Sequence, residues 1–133
     1  MTLWTQTRYF KRSEAWGDPS KMNGGLILSL DLIRHYFDVP FVVHCGYEVD
    51  GHSKDSQHYL GNAVDFHVKH MSFRDSCRKL IQTVKYLQLS NFIGLGFYPE
   101  WNNPGFHIDL RGFKARWAYI GGKMVGIDKV TLL

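Results

Sequence analysis

Asn62-Ala63-Val64-Asp65-Phe66-His67-Val68 is the run whose reading decides the fold, because it alternates between two chemistries. Ala63, Asp65 and His67 fall on one side, and Val64, Phe66 and Val68 on the other. A strand with one buried face imposes that period of two. Phe106-His107-Ile108-Asp109-Leu110 alternates in the same way. His107 and Asp109 share a face there, while Phe106, Ile108 and Leu110 point into a core. Upstream of the first strand, the polar stretch Asp50 to Gln57 reads as a loop that ends at His58.

These segments supply two imidazoles and a carboxylate from one loop and two strands. Zinc accepts nitrogen and oxygen donors, and a catalytic zinc site uses three protein ligands with a fourth position for water. His58, Asp65 and His107 are the expected set of three. His67 shares the face of Asp65 and could line the same cleft, but three better donors leave it out of the set. His35, His44, His52 and His70 read as surface or hydrogen-bonded groups. His67 and His70 carry a two-histidine spacing that faces one way only on a helix.

Outward from the strands, the chain reads as one α+β unit over residues 1–133, without repeats or low-complexity tracts. Ser13 to Gly25 is a lead-in punctuated by Gly and Pro. Leu26 to Phe37 then sets Leu26, Leu30, Ile33 and Phe37 on one helical face. Asp38-Val39-Pro40 stops that helix, since a residue before proline disfavours the α region. Phe41 to His44 is a short strand. Ser72 with Asp75 opens a second helix, whose buried stripe is Cys77, Leu80, Ile81, Val84 and Leu87. Strands follow at Phe92 to Phe97, Gly105 to Leu110 and Arg116 to Ile120, and Gly121-Gly122 turns into Lys123 to Val125. The expected architecture is two helices packed on a mainly antiparallel sheet that presents the metal site on one face.

The pattern Ser56-x-His58-x-x-Gly61-x-Ala63-x-Asp65, then Gly94-x-Gly96-x-Tyr98, then His107-x-Asp109, resembles the zinc D-Ala-D-Ala carboxypeptidase family. That family includes L-alanyl-D-glutamate endolysins of phages and murein endopeptidases. Arg116-Trp117 is similar to the branch that carries His-x-Asp, and the likeness runs from Tyr9 to Trp117. It implies a hedgehog/D-Ala-D-Ala-peptidase-like fold, a Zn2+ cofactor, and hydrolysis of peptide bonds in peptidoglycan stems or cross-links. Two positions depart from the family pattern. Glu48 stands where members carry an arginine after the Gly-Tyr pair, and suggests a substrate with a positive group. Pro104 stands where many members have the acid that serves as general base. The resemblance therefore makes Asp109 the expected catalytic base or orienting group, with Glu100 as the alternative. It also leaves open a catalytically silent, zinc-bearing binding module of the same fold.

Composition limits the other classes. Hydrophobic residues make up 44% and charged residues 21%, which suits a folded chain rather than a disordered one. No apolar run approaches the ~18–20 residues of a membrane span, and Met1 to Arg12 lacks the apolar stretch of a signal peptide. A cell-wall enzyme of this kind would act after release from the cytoplasm or from a virion. The net charge of +4 favours approach to an anionic polymer such as peptidoglycan. The basic residues are dispersed, with no clustered groove for nucleic acid. Cys45 and Cys77 read as buried free thiols. Tyr98, Trp101 and Trp117 read as core, and Gly94 and Gly96 as packing relief.

Overall fold

The alternating run at Asn62–Val68 forms an interior strand of a six-stranded sheet, next to its edge strand. The computed structural model describes residues 2–131; residues 1, 132 and 133 of the expected 1–133 unit lie outside the described residues. The strands are β1 (Phe41–Cys45), β2 (Ala63–Val68), β3 (Gly94–Tyr98), β4 (Gly105–Asp109), β5 (Ala115–Ile120) and β6 (Lys123–Val125). Their spatial order is β1-β2-β4-β3-β5-β6. All neighbours are antiparallel except β3 and β5. That exception follows from β4, whose two edges are taken by β2 and β3, so the returning strand must add to the far edge of β3.

Three helices accompany the sheet: α1 (Gly24–Phe37), α2 (Phe73–Tyr86) and the short α3 (Asp128–Thr131). Asn23 caps α1 by accepting from the Gly25 and Leu26 amides, and Ser72 caps α2 by accepting from the Asp75 amide. Side-chain caps of this kind satisfy amides that have no partner within the helix. Asp38 ends α1 in the left-handed conformation, two residues before Pro40. The expected stripe Leu26, Leu30, Ile33 and Phe37 is buried, as are Cys77, Leu80 and Val84 of α2. Ile81 and Leu87 are half-buried and pack against the same core.

Those helix residues meet Val64, Phe66, Leu95, Phe97, Phe106 and Ile108 in one apolar cluster. Phe73 of α2 stacks on Phe106 at 5.2 Å between ring centroids, which fixes the helix against the sheet. Asp31, 8% exposed on α1, accepts from the backbone amides of Arg8, Tyr9 and Phe10 and ties the N-terminal segment to the core.

The helices cover one face of the sheet and leave the other for chemistry. The third predicted strand starts two residues later than its apolar run suggests, at Gly94. Phe92 belongs instead to the turn after α2, where its amide bonds to the Leu89 carbonyl. Gly121 and Gly122 both take positive φ, which is what a two-residue hairpin turn requires. The α3 helix was not anticipated; its Val130 is buried against the core. No helix of the described residues is long and apolar enough to cross a membrane.

Candidate metal centre

One rung of the sheet builds most of the site. Cys45, Asp65, His107, Gly96 and Trp117 are successive register partners across β1, β2, β4, β3 and β5. Period two turns Asp65 and His107 away from the helices, and direct pairing sets them side by side. His107 Nδ1 lies 3.0 Å from Asp65 Oδ1. His58 comes from a 3-10 turn at Gln57–Leu60, and its Nε2 lies 3.2 Å from the same oxygen. Ser56 caps that turn by accepting from the His58 amide, and Gly61 ends it with φ of +67°. A Cβ at Gly61 would stand 1.8 Å from the Lys21 carbonyl oxygen, so only glycine lets the turn lie against the lead-in to α1. The expected trio is thus brought together, with the ligand atoms all within 4.8 Å of one another.

The outer partners decide what these atoms offer. His58 Nδ1 lies 2.8 Å from the Gly46 carbonyl, which can only accept, so Nδ1 carries the proton. His107 Nε2 donates at 2.7 Å to Asp109, an ionised carboxylate held by Arg111. In their neutral forms both rings therefore direct bare nitrogens at Asp65 Oδ1. Three electron-pair donors converging on one point repel one another unless a cation, or an added proton, sits among them. Burial disfavours a charged His107, but the hydrogen bonds to Asp109 and Asp65 outweigh it and raise its pKa above the ordinary value. Asp65 is likewise penalised by burial, yet His107 and His58 hold its carboxyl below the usual range. Nitrogen and oxygen donors with their far sides fixed by a carbonyl and a carboxylate could hold a metal ion.

Of the two roles expected for Asp109, base or orienting group, its position fits the second. It is fully buried, with Oδ1 accepting from Arg111 Nε at 2.8 Å and Oδ2 from Arg111 Nη2 and His107 Nε2, each at 2.7 Å. Standing behind His107 with both oxygens engaged, it does not reach the open side as a base would. It orients His107 instead. Arg111, and after it His107, hold its pKa low against the opposing effect of burial. Glu100 does not line the cleft that holds the donor set; its Oε1 accepts from the Gly121 amide at 2.8 Å and pins the β5–β6 turn.

The donor set lies on the floor of a cleft of about 680 Å³. Its walls include His52, Lys54, Asp55 and Gln57 on one side, with Tyr98, Trp101, Arg111, Trp117 and Met124 on the other. The three aromatic residues read as core therefore face the cleft. The two glycines of β3 make room for them and for the pair behind His107. A Cβ at Gly96 would stand 2.6 Å from the Trp117 ring, and one at Gly94 2.6 Å from Arg111 Nε. Trp117 Nε1 then donates to Tyr98 Oη at 3.0 Å, and Tyr98 stacks on Trp101.

Three contributors escape the sequence. A register shift between Val43 and Cys45 turns the Cys45 thiol toward the site, where Sγ donates to Asp65 Oδ2 at 3.2 Å. Nothing in the apolar run betrays that bulge. His52 stacks on His58 with centroids 4.2 Å apart, although its loop has no periodicity from which to place it. Arg111 continues the alternation of His107 and Asp109 by one more step, and reading that far would have found it. His67 turns instead to His44, a partner on the neighbouring strand. Both cysteines are free. A scan of protein-family models gives no match to this chain, and a search of curated proteins returns no relative.

Proposed function

We propose that this protein is a zinc-dependent peptidase that hydrolyses peptide bonds in the stems or cross-links of bacterial peptidoglycan. The observation that carries the reading is the convergence of His58 Nε2, Asp65 Oδ1 and His107 Nδ1 at the floor of an open cleft, each imidazole fixed from behind. The order of the motifs supports the same reading, with a hedgehog/D-Ala-D-Ala-peptidase-like fold. Zinc in such a site supplies Lewis acidity toward a carbonyl and makes water acidic near neutral pH, with a pKa of about 7.

The chain's own groups do the rest. Gly46 and Asp109 hold the two imidazoles in the tautomers that bind metal, and Arg111 keeps Asp109 charged. The Trp117 indole donates to Tyr98 Oη, which leaves the phenol proton free to serve an acceptor in the cleft. Proton transfer must fall to a group that lines the cleft; His52 and Asp55 do so and Asp109 does not. The enzyme would act at the cell wall after release, as a phage lysin does, or from a virion.

A second reading has its own support. Pro104 at the position of the family's acid, together with the burial of Asp109, suits a zinc-bearing binding module without turnover. Digestion of purified sacculi by zinc-loaded protein separates the two. Defined fragments by mass spectrometry, absent with His58→Ala, are expected of the peptidase. Bound zinc at one per chain with no fragments would favour the module.

A further inference from the structure

We propose that Arg111 is the anion-binding residue of the cleft, and that the substrate presents a carboxylate to its outer edge. The proposal rests on the peptidase reading for the identity of the substrate, but the anion site itself stands on geometry. A guanidinium has five N–H groups. The side edge of Arg111 is taken, since Nε and Nη2 donate to the two oxygens of Asp109. No bond from Nη1 to any described residue is formed, so Nη1 and the outward N–H of Nη2 make a second, vacant edge. Arg111 lines the cleft, and its side chain is 23% exposed.

The vacant edge is also held still. The guanidinium carbon lies 5.1 Å from the Trp117 ring centroid and 5.7 Å from that of Phe113. With Asp109 fixing one edge and two aromatic rings beside the plane, little rotamer freedom is left to lose on binding. A planar fork with two parallel N–H donors matches a carboxylate in bidentate fashion. Arg111 balances the buried carboxylate of Asp109, and a dication at the donor set would more than balance the half-buried Asp65. The loaded floor then carries an excess of positive charge, which favours an anionic group.

Other cations fit this role poorly. Arg116 is spent on structure, with Nη1 donating to the Ile93 and Ala115 carbonyls and Nη2 to Ser90. Lys54 lines the cleft from an exposed loop position with nothing to aim it. Glu48, which suggested a positively charged substrate, is not among the residues that line the cleft. The chemistry at the wall is that of an anion receptor instead. The substrate class is a peptide whose reacting segment carries a free carboxylate, at its terminus or on a side chain.

The test compares one stem peptide prepared with a free carboxyl group and as the carboxamide, bound to zinc-loaded protein and followed by calorimetry. The acid is expected to bind roughly 10- to 100-fold tighter, the range for a charge-assisted pair of hydrogen bonds. Arg111→Gln should bring acid and amide to within about two-fold of each other. A purely structural role would weaken both forms alike and leave their ratio unchanged. Equal binding to the unaltered protein, or a ratio that survives Arg111→Gln, overturns the proposal. A second measurement needs neither turnover nor a variant: N-acetylalanine should move the Arg111 side-chain NMR signals, and N-acetylalaninamide should not. Unmoved signals overturn the anion site. Shifted signals in a protein that releases nothing from sacculi would uphold Arg111 and remove the peptidase reading.

Discussion

Gly96 and Trp117 share one rung of the sheet, and a methyl group on Gly96 would stand 2.6 Å from the indole. The bare strand surface is what lets the Trp117 indole lie over Gly96 and tilt against His107, at 5.3 Å between ring centroids, with its Nε1 on Tyr98. Gly96→Ala should push the indole off its bed and break that hydrogen bond. Overpacking of this kind typically costs about 1–3 kcal/mol. The expected result is a shift in tryptophan emission, matched by loss of the same component in Trp117→Phe, with the proposed peptide hydrolysis falling further than stability. An unchanged spectrum and unchanged hydrolysis would show that the rung tolerates a side chain.

Asp109 acts on the site through His107, and its removal should show in metal affinity before anything else. Asp109→Ala leaves His107 Nε2 and the Arg111 fork without their partner. Loss of such an outer-sphere carboxylate weakens metal binding by about 10- to 100-fold. Competition against a chromophoric chelator measures it. His58→Ala, which deletes a proposed ligand outright, should cost more. Equal zinc affinity in Asp109→Ala and the unaltered protein would remove the orienting role.

Gly61 carries the turn that delivers His58. An alanine there meets the Lys21 carbonyl and must also adopt φ near +67°. Left-handed strain alone costs about 1–3 kcal/mol. The sheet does not depend on this turn, so Gly61→Ala should lose zinc while keeping its far-ultraviolet circular dichroism. Full zinc content with an unshifted denaturation midpoint would contradict this account.

Cys77 offers a pH-dependent readout away from the metal. Burial in α2 pushes its thiol up to about 12. A group whose folded pKa is raised contributes stability fully below its unfolded value, about 8.5 for a thiol. That contribution is lost as pH climbs from there toward the folded value, because the unfolded chain ionises first. Stability should therefore decline through this alkaline window, less steeply in Cys77→Ala. In the folded protein at pH about 8 the thiol should resist disulfide reagents, reacting only as fast as the chain opens. Rapid labelling without unfolding would mean the site is accessible.

The sequence showed which face each strand residue takes, but not how deep it lies. Alternation put Asp65, His107 and Asp109 on one side of the sheet, and the structure agrees. Yet Asp109 is sealed while Asp65 borders the cleft, because Arg111, in the segment that follows β4, folds back onto both oxygens of Asp109. Helix stripes were legible for the opposite reason: Leu26, Leu30, Ile33 and Phe37 need only a period and a core to face. The bulge at Cys45 and the stacking of His52 on His58 depend on backbone geometry with no compositional mark. The parallel β3–β5 pair was likewise unreadable, since it follows from which edges remain free after β2, β3 and β4 have paired.

The division of the sheet into a helix-covered face and an open one has a consequence for how this protein can change over generations. Val64, Phe66, Phe106 and Ile108 maintain the fold, while Ala63, Asp65, His107 and Gly96 sit one residue away on the opposite surface. Exchange of the donor side chains Asp65 and His107 would change which ion or ligand is held while leaving the apolar cluster of Val64, Phe66, Phe106 and Ile108 in place. Descendants of this scaffold are therefore free to exchange one chemistry for another while inheriting the same interior.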